Sequence, residues 1–180
     1  YCEDGDTASE SEPATFKARR GKGKGMLHVR DNWTLVYDNG KPFRGVGINL
    51  CWESRTHDDS KFFADLHEQH DRFNYDVMLP DFAANGGNFT RMWMCSWNFP
   101  IDRQGHFNNH RYEETEEYMN PSAVERLDHV VNLCEDHDIK IMLCMGQGNV
   151  RAHREFFNCD EAKIRYRNYL RYIVARWGYS

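Results

Sequence analysis

The sequence predicts an α/β fold, a partial (β/α)8 TIM barrel of about three βα units with a short β segment at its N-terminus. Three near-continuous apolar runs are each followed by a helix-like segment, which is typical of parallel strands covered by helices. The segments after the strands are long and rich in polar and aromatic residues, as in barrel active-site loops. No glycine-rich phosphate loop follows a strand, which disfavours a doubly wound sheet.

The N-terminal region has a different composition from the rest of the chain. Alternation over 14–18 predicts one strand, and the RRGKGKG run that follows is typical of a solvated linker. We therefore expect residues 1–25 to be the tail of a preceding β-domain and a linker. Residues 26–180 are expected to form the N-terminal part of the barrel. The Asn-Gly pair at 39–40 predicts a hairpin over 34–43.

Within residues 44–180, local signals define the three βα units. Asn120-Pro121 predicts a capped helix start, Gly86-Gly87 a helix end, and Asp160 the cap of the last helix. A whole barrel takes about 250 residues, so three units predict its first part. The predicted strands cover 44–50, 88–95 and 139–144, and the predicted helices cover 71–85, a segment from 121 and a segment ending at 177.

Composition excludes several classes of function. The 23 Lys and Arg against 28 Asp and Glu leave a net charge of −5, so no nucleic-acid partner is expected. No apolar run reaches the ~18 residues of a membrane span, so no membrane partner is expected either. Neither a cofactor nor a metal site is predicted, because no phosphate loop or cleanly spaced ligand cluster occurs. The six cysteines form no Cys-x-x-Cys pair, and buried free thiols are favoured over disulfides, which stay an alternative.

Three segments carry a resemblance to a known family: 45–52 (GVGINLCW), 86–93 (GGNFTRMW) and 171–178 (RYIVARWG). In this order they resemble the cellulase and mannanase relatives among retaining glycoside hydrolases, the clan A barrels, and especially those with a β-sandwich before the barrel. The resemblance implies cleavage of β-linked polysaccharide by a secreted or extracytoplasmic protein. It also implies an acid/base Glu after the fourth strand and a nucleophile Glu after the seventh, both beyond this chain. The partners would be a polysaccharide or oligosaccharide and the remainder of the parent barrel.

Arg91 is the most informative candidate residue. It lies in an apolar run that should be buried, where a guanidinium requires a carboxylate or several hydrogen bonds. By resemblance it supports the nucleophile, since an adjacent cation lowers the pKa of a carboxylate. The alternative is a purely structural ion pair.

Five further residues at strand ends are candidate substrate contacts. Trp52 and Trp97 are expected to offer aromatic faces to sugar rings, with loop packing as the alternative, whereas Trp93 is expected in the core. Asn49 and Gln147 can bond sugar hydroxyls, or cap and close turns. Glu53 is expected to accept from a hydroxyl or to form a loop salt bridge.

Two other functions compete with the hydrolase. A non-catalytic carbohydrate-binding or scaffold barrel would keep the aromatic cleft without the acids, since fold does not fix function. A metal-dependent barrel hydrolase is less favoured, because no ligand cluster is evident in the sequence. A carboxylate at the end of the fourth strand would favour the enzyme.

Overall fold

The computed structural model describes residues 2–4, 7–9, 12–17, 23–31, 33–50, 53, 74–107, 111–145 and 158–180. This part of the chain is mixed α/β and divides into two compact units, Tyr1–Phe43 and Arg44–Ser180. The boundary expected after residue 25 stays a prediction. The elements are β1 (Cys2–Asp4), β2 (Thr7–Ser9), β3 (Leu27–Arg30), β4 (Thr34–Tyr37), β5 (Gly47–Ile48), α1 (Asn74–Ala84), β6 (Phe89–Met94), α2 (Pro121–Asp136), β7 (Lys140–Met145) and α3 (Asp160–Trp177).

The first unit contains two antiparallel pairs, β1 with β2 and β3 with β4. The hairpin predicted over 34–43 is confirmed: the Tyr37 N–H donates to the Lys41 carbonyl at 2.9 Å. Gly40 adopts the positive φ of +79° that this turn requires. The strand predicted over 14–18 is wrong for its described part. Residues 12–17 are irregular and exposed, because alternation forms a strand only where a neighbour pairs with it.

The second unit is built on a parallel sheet in the order β5-β6-β7. The strand predicted over 44–50 is reduced to Gly47–Ile48. A Cβ at Gly47 would lie 2.8 Å from the Phe89 carbonyl oxygen, so the close pairing of β5 with β6 requires glycine there. The parallel α/β arrangement is confirmed. The described strands form this open sheet rather than a closed barrel.

Helix α2 begins and packs as its sequence predicts. The Asn120 side chain accepts from the Ala123 N–H at 3.1 Å, and Pro121 occupies the first turn, where no backbone N–H is needed. Helical spacing predicts one apolar stripe on this helix, made of Val124, Leu127, Val131 and Cys134. All four residues of the stripe are buried, as is Val130.

Helix α3 differs from the prediction in its N-cap residue and in the width of its buried face. Cys159 is the N-cap and Asp160 the first helical residue, with no side-chain cap hydrogen bond. Helical spacing predicts one apolar stripe made of Tyr166, Tyr169, Leu170, Ile173, Val174 and Trp177. Of these, Tyr169, Ile173 and Trp177 are buried, but Tyr166 and Val174 are exposed. The stripe is narrower because, in the described structure, α3 buries only the side that packs into the core shared with α2.

Beside this apolar core, α2 and α3 are also joined by hydrogen bonds among three polar side chains. Asp128 on α2 accepts from the Arg176 Nε at 2.9 Å and Nη2 at 2.6 Å, and from the Trp177 Nε1 at 2.8 Å. These bonds hold the end of α3 on α2, and the helix ends where predicted, before Gly178. No helix in the described ranges is long and apolar enough to cross a membrane.

The two faces of β6 differ. Met92 and Met94 are buried in the core with the three helices, and we call this side the helix face. Phe89, Arg91 and Trp93 alternate with them and are half-buried on the opposite side, outside that core. Met142 of β7 pairs with Arg91 and is 49% exposed. We call this second side the open face.

Four of the six cysteines are described as free thiols. Cys95 and Cys134 are buried, and Cys144 and Cys159 are half-buried. Burial raises the pKa of the Cys134 thiol to about 12, so it stays protonated and packs as a small apolar side chain. The expectation of free thiols is met at these four positions.

Candidate functional site

The carboxyl ends of β5 and β6 are joined by buried polar side chains. The Glu53 N–H donates to the Asn98 Oδ1 at 3.3 Å, and the Asn98 Nδ2 donates to the Trp93 carbonyl at 2.7 Å. Glu53 is 1% exposed and Asn98 is fully buried. Parallel strands end at the same edge of a sheet, which is why residues 45 positions apart meet here.

Tyr75, in the first turn of α1, joins the same group. Its hydroxyl donates to the Leu50 carbonyl at 3.1 Å and accepts from the Asn98 Nδ2 at 3.1 Å. Its ring stacks on Phe99, with centroids 5.7 Å apart. Burial raises the pKa of the Tyr75 hydroxyl well above its usual value, and the Glu53 carboxylate adds to the shift. The hydroxyl therefore stays protonated and keeps its donor role.

Glu53 and Arg126 form a buried ion pair. The Arg126 Nη2 donates to the Glu53 Oε1 at 2.5 Å, and the Arg126 Nε donates to the Oε2 at 3.2 Å. The Tyr75 N–H also donates to the Oε1, at 3.4 Å. The side chain of Arg126 is only 8% exposed. Glu53, Tyr75, Asn98 and Arg126 are hereafter the strand-end cluster.

Charged groups continue from this cluster towards solvent. The Arg126 Nη1 lies 3.6 Å from the Asp76 Oδ1, which lies 2.6 Å from the His129 Nε2. A cleft of about 500 Å³ opens above them. It is lined by Glu53, Asp76, Arg111, Tyr112, Glu113, Ser122, Glu125, Arg126 and His129.

The chemistry of this cleft favours positioning over catalysis. Its innermost carboxylate, Glu53, is bound by Arg126 on both oxygens. Burial raises the pKa of the Tyr112 hydroxyl, with Glu53 adding to the shift, so Tyr112 is not a nucleophile near neutral pH. Among the described residues, no group of three or more His, Cys, Asp or Glu side chains could hold a metal ion.

The structure places the predicted substrate contacts in different surroundings. Glu53, expected to accept from a hydroxyl or to form a loop salt bridge, forms a salt bridge with Arg126 that is buried. Trp97 is 8% exposed in the turn between Cys95 and Asn98, so little of its ring faces solvent. Asn49 follows β5 and is exposed. Trp52 and Gln147 lie outside the described residues.

Arg91 lies away from the cluster, on the open face. Its guanidinium carbon is 5.8 Å from the centroid of the Trp93 ring, a cation–π geometry. Its Nε is buried and has no hydrogen-bond partner, and no carboxylate of the described residues forms an ion pair with it. Arg91 is half-buried rather than buried, and Trp93, expected in the core, lies on the open face beside it.

Sequence reasoning missed most of the strand-end cluster, including Arg126. One signal for Arg126 was present. It lies four residues before Val130 and eight before Cys134, so helical periodicity puts it on the buried side of α2. A cation at such a position requires a buried carboxylate. Tyr75 and Asn98 carry no comparable local signal, because their partners are distant in sequence.

Comparisons with known proteins add no relative. No protein-family model matches the chain, and neither a curated protein nor a solved structure matches it. The resemblance carried by segments 45–52, 86–93 and 171–178 is therefore an expectation from those residues alone.

Proposed function

We propose that this chain is the N-terminal part of a (β/α)8 glycoside hydrolase that cleaves β-linked polysaccharide by a retaining mechanism. The catalytic carboxylates lie beyond residues 1–180, and the parent protein is secreted or extracytoplasmic. The observation that carries the proposal is Arg91 on the open face, a half-buried cation without a carboxylate partner among the described residues. Such a cation is suited to a carboxylate from another part of the barrel.

The sheet supports a barrel over a doubly wound fold. Both folds can begin with strands in the order β5-β6-β7 and helices on one side. A doubly wound sheet then covers its second face with helices as well. Here that face carries Arg91 in the middle of β6. A cation is poorly suited to packing under an apolar helix, whereas it can serve a polar barrel interior.

The proposed reaction is a double displacement. One carboxylic acid protonates the leaving oxygen while a second carboxylate attacks the anomeric carbon, and water then releases the sugar. Arg91 keeps the attacking carboxylate ionised, because a nearby positive charge lowers its pKa. Exposed Asn49 is placed to bind a hydroxyl beyond β5. Glu53 is assigned no substrate contact, since both of its oxygens are bound by Arg126.

The test uses the full-length parent protein with Arg91→Ala and Arg91→Lys. We expect Arg91→Ala to lose most of kcat on β-linked glycans while the protein stays folded. The acid limb of the pH–rate profile should move to higher pH, because loss of the cation raises the pKa of the nucleophile. Arg91→Lys should restore part of the rate. Arg176→Ala removes an arginine from the surface of α3 and is the matched control.

Three results would contradict the proposal. An unchanged rate and pH profile in Arg91→Ala would leave Arg91 with a structural role only. Glycan binding by the parent without any turnover would favour the non-catalytic carbohydrate-binding barrel. Residues 1–180 alone should hydrolyse no β-glucan, mannan or xylan, and measurable turnover by them would place catalytic carboxylates within this chain.

A further inference from the structure

We propose that Glu53 and Arg126 are positioning residues, which set the turn carrying Trp97 relative to the end of β5. This inference rests on the proposed function, because the loops at the carboxyl ends of the strands would form the glycan site. It assigns Glu53 a role other than direct contact with substrate.

Glu53 is poorly placed to touch a ligand. It is 1% exposed, and its two oxygens accept hydrogen bonds from Arg126 and from the Tyr75 N–H. Because so little of Glu53 is exposed, a sugar hydroxyl could reach it only if the side chains around it moved. Moving Arg126 away would leave a buried guanidinium without that partner. Its effect on a ligand is therefore transmitted through the groups it holds.

The Trp97 turn is one of those groups. The Asn98 Oδ1 accepts from the Glu53 N–H, while its Nδ2 donates to the Trp93 carbonyl. The turn itself is closed by the Cys95 N–H donating to the Asn98 carbonyl at 2.8 Å and the Asn98 N–H donating to the Cys95 carbonyl at 3.2 Å. Trp97 lies inside this closed turn. A shift of the Glu53 backbone therefore moves the backbone of the turn through the side chain of Asn98.

The ion pair fixes the orientation of the Glu53 side chain, which apolar packing alone would not do. Replacing a buried ion pair by apolar residues of similar volume often leaves stability unchanged, since desolvation offsets much of the attraction. The two parallel hydrogen bonds between Arg126 and Glu53 nevertheless fix both the distance and the orientation of the carboxylate. The function of the pair is thus separable from its contribution to folding.

The experiment compares E53M/R126M with wild type in the full-length protein. Melting temperature and affinity for β-linked hexasaccharides of glucose and of mannose are measured, the latter by calorimetry. We expect a melting temperature within about 4 °C of wild type and a dissociation constant raised about tenfold or more, because a misplaced loop loses its fit. Arg176→Met removes one partner of an exposed ion pair on α3, and its affinity should equal that of wild type. An unchanged affinity in the folded double variant would overturn the inference.

A second variant covers the case in which E53M/R126M does not fold. Arg126→Lys keeps the charge but loses the parallel pair of hydrogen bonds. We expect it to fold and to bind the hexasaccharides with a dissociation constant raised about threefold or more. The reason is that the ammonium group of Lys lacks the planar pair of donors that the guanidinium group of Arg offers to a carboxylate. Affinity equal to wild type in this variant would also overturn the inference.

Failure of the proposed function is recognised separately. If the wild-type protein binds and cleaves no β-linked glycan, that function is wrong, and the positioning role is tested by amide hydrogen exchange instead. The amides of residues 95 and 98 close the turn, and in the folded variant they should exchange about tenfold faster than in wild type. Unchanged exchange at both amides would show that the ion pair does not hold the turn.

Discussion

The two faces of the parallel sheet use alternate residues of the same strand for different purposes. On the helix face, Met92 is fully buried against the helices. On the open face, Arg91 contacts Trp93 and lies beside Met142, which is half exposed. Because successive side chains of a strand point to opposite sides, stability and chemistry can be assigned to neighbouring positions. The helix face accounts for the fold of this unit, and the open face carries its proposed function.

Two arginines, one on each side of the sheet, differ in their ion pairing. Arg126 is buried on the helix side and bound to Glu53, whereas Arg91 on the open face has no ion pair within the described structure. A paired buried arginine cannot be removed without leaving an uncompensated charge, but an unpaired one can. Removing one partner of the ion pair on the helix side should therefore lower stability, whereas removing Arg91 from the open face should alter function with little loss of stability.

The largest expected effect is that of Arg126→Met. Removing one partner of a buried pair should lower the free energy of unfolding by about 3–5 kcal/mol, because Glu53 is left as an unpaired buried charge. Urea unfolding measures the loss. In residues 1–180 alone, Arg91→Met is the matched variant on the open face and should cost under about 1 kcal/mol. Equal losses in the two variants would remove the distinction between the faces.

The next largest expected difference is in the free energy of unfolding between two methionine variants, one on each face of the sheet. Met92→Ala creates a cavity at a fully buried site and should cost about 2–5 kcal/mol. In residues 1–180 alone, Met142→Ala removes a side chain that is 49% exposed and should stay within about 0.5 kcal/mol of wild type. Thermal or urea unfolding of both variants measures these losses of stability. A large loss at Met142 would indicate that another part of the protein covers the open face.

The smallest effect concerns Asp128, at the outer contact of α2 with α3. Hydrogen bonds from Arg176, and secondarily from Trp177, lower the pKa of Asp128 below its usual value. A lowered pKa in the folded state means that this stabilisation is present above about pH 4 and is lost as the pH falls through the folded-state pKa. Asp128→Asn should therefore cost about 1 kcal/mol at neutral pH and progressively less in acid.

Melting curves between pH 7 and pH 2 measure this loss. Asp160→Asn, at an ion pair within α3 whose carboxylate is 89% exposed, is the control and should show a smaller loss at neutral pH. A constant difference between wild type and Asp128→Asn at every pH would show that the contact stabilises through packing rather than through the charge of Asp128.

Local signals were sufficient for much of the fold. Asn120-Pro121 predicted the start of α2, and the apolar spacing predicted its buried stripe, because capping and helical periodicity act within a few residues. The Asn39-Gly40 turn was predicted for the same reason. Asp160 was assigned as a cap and is the first helical residue, since either position suits an acidic residue at a helix start.

The sequence by itself determined the turn at 39–40, the start of α2, the strands within 88–95 and 139–145, and that Arg91 is a cation in an apolar run. Only the tertiary structure decided that Arg91 lies on the open face and that Glu53 binds Arg126, 73 residues away. The physical reason is the range of the interactions. Propensity, capping and periodicity depend on neighbours along the chain, whereas burial and ion pairing depend on which distant segments pack together.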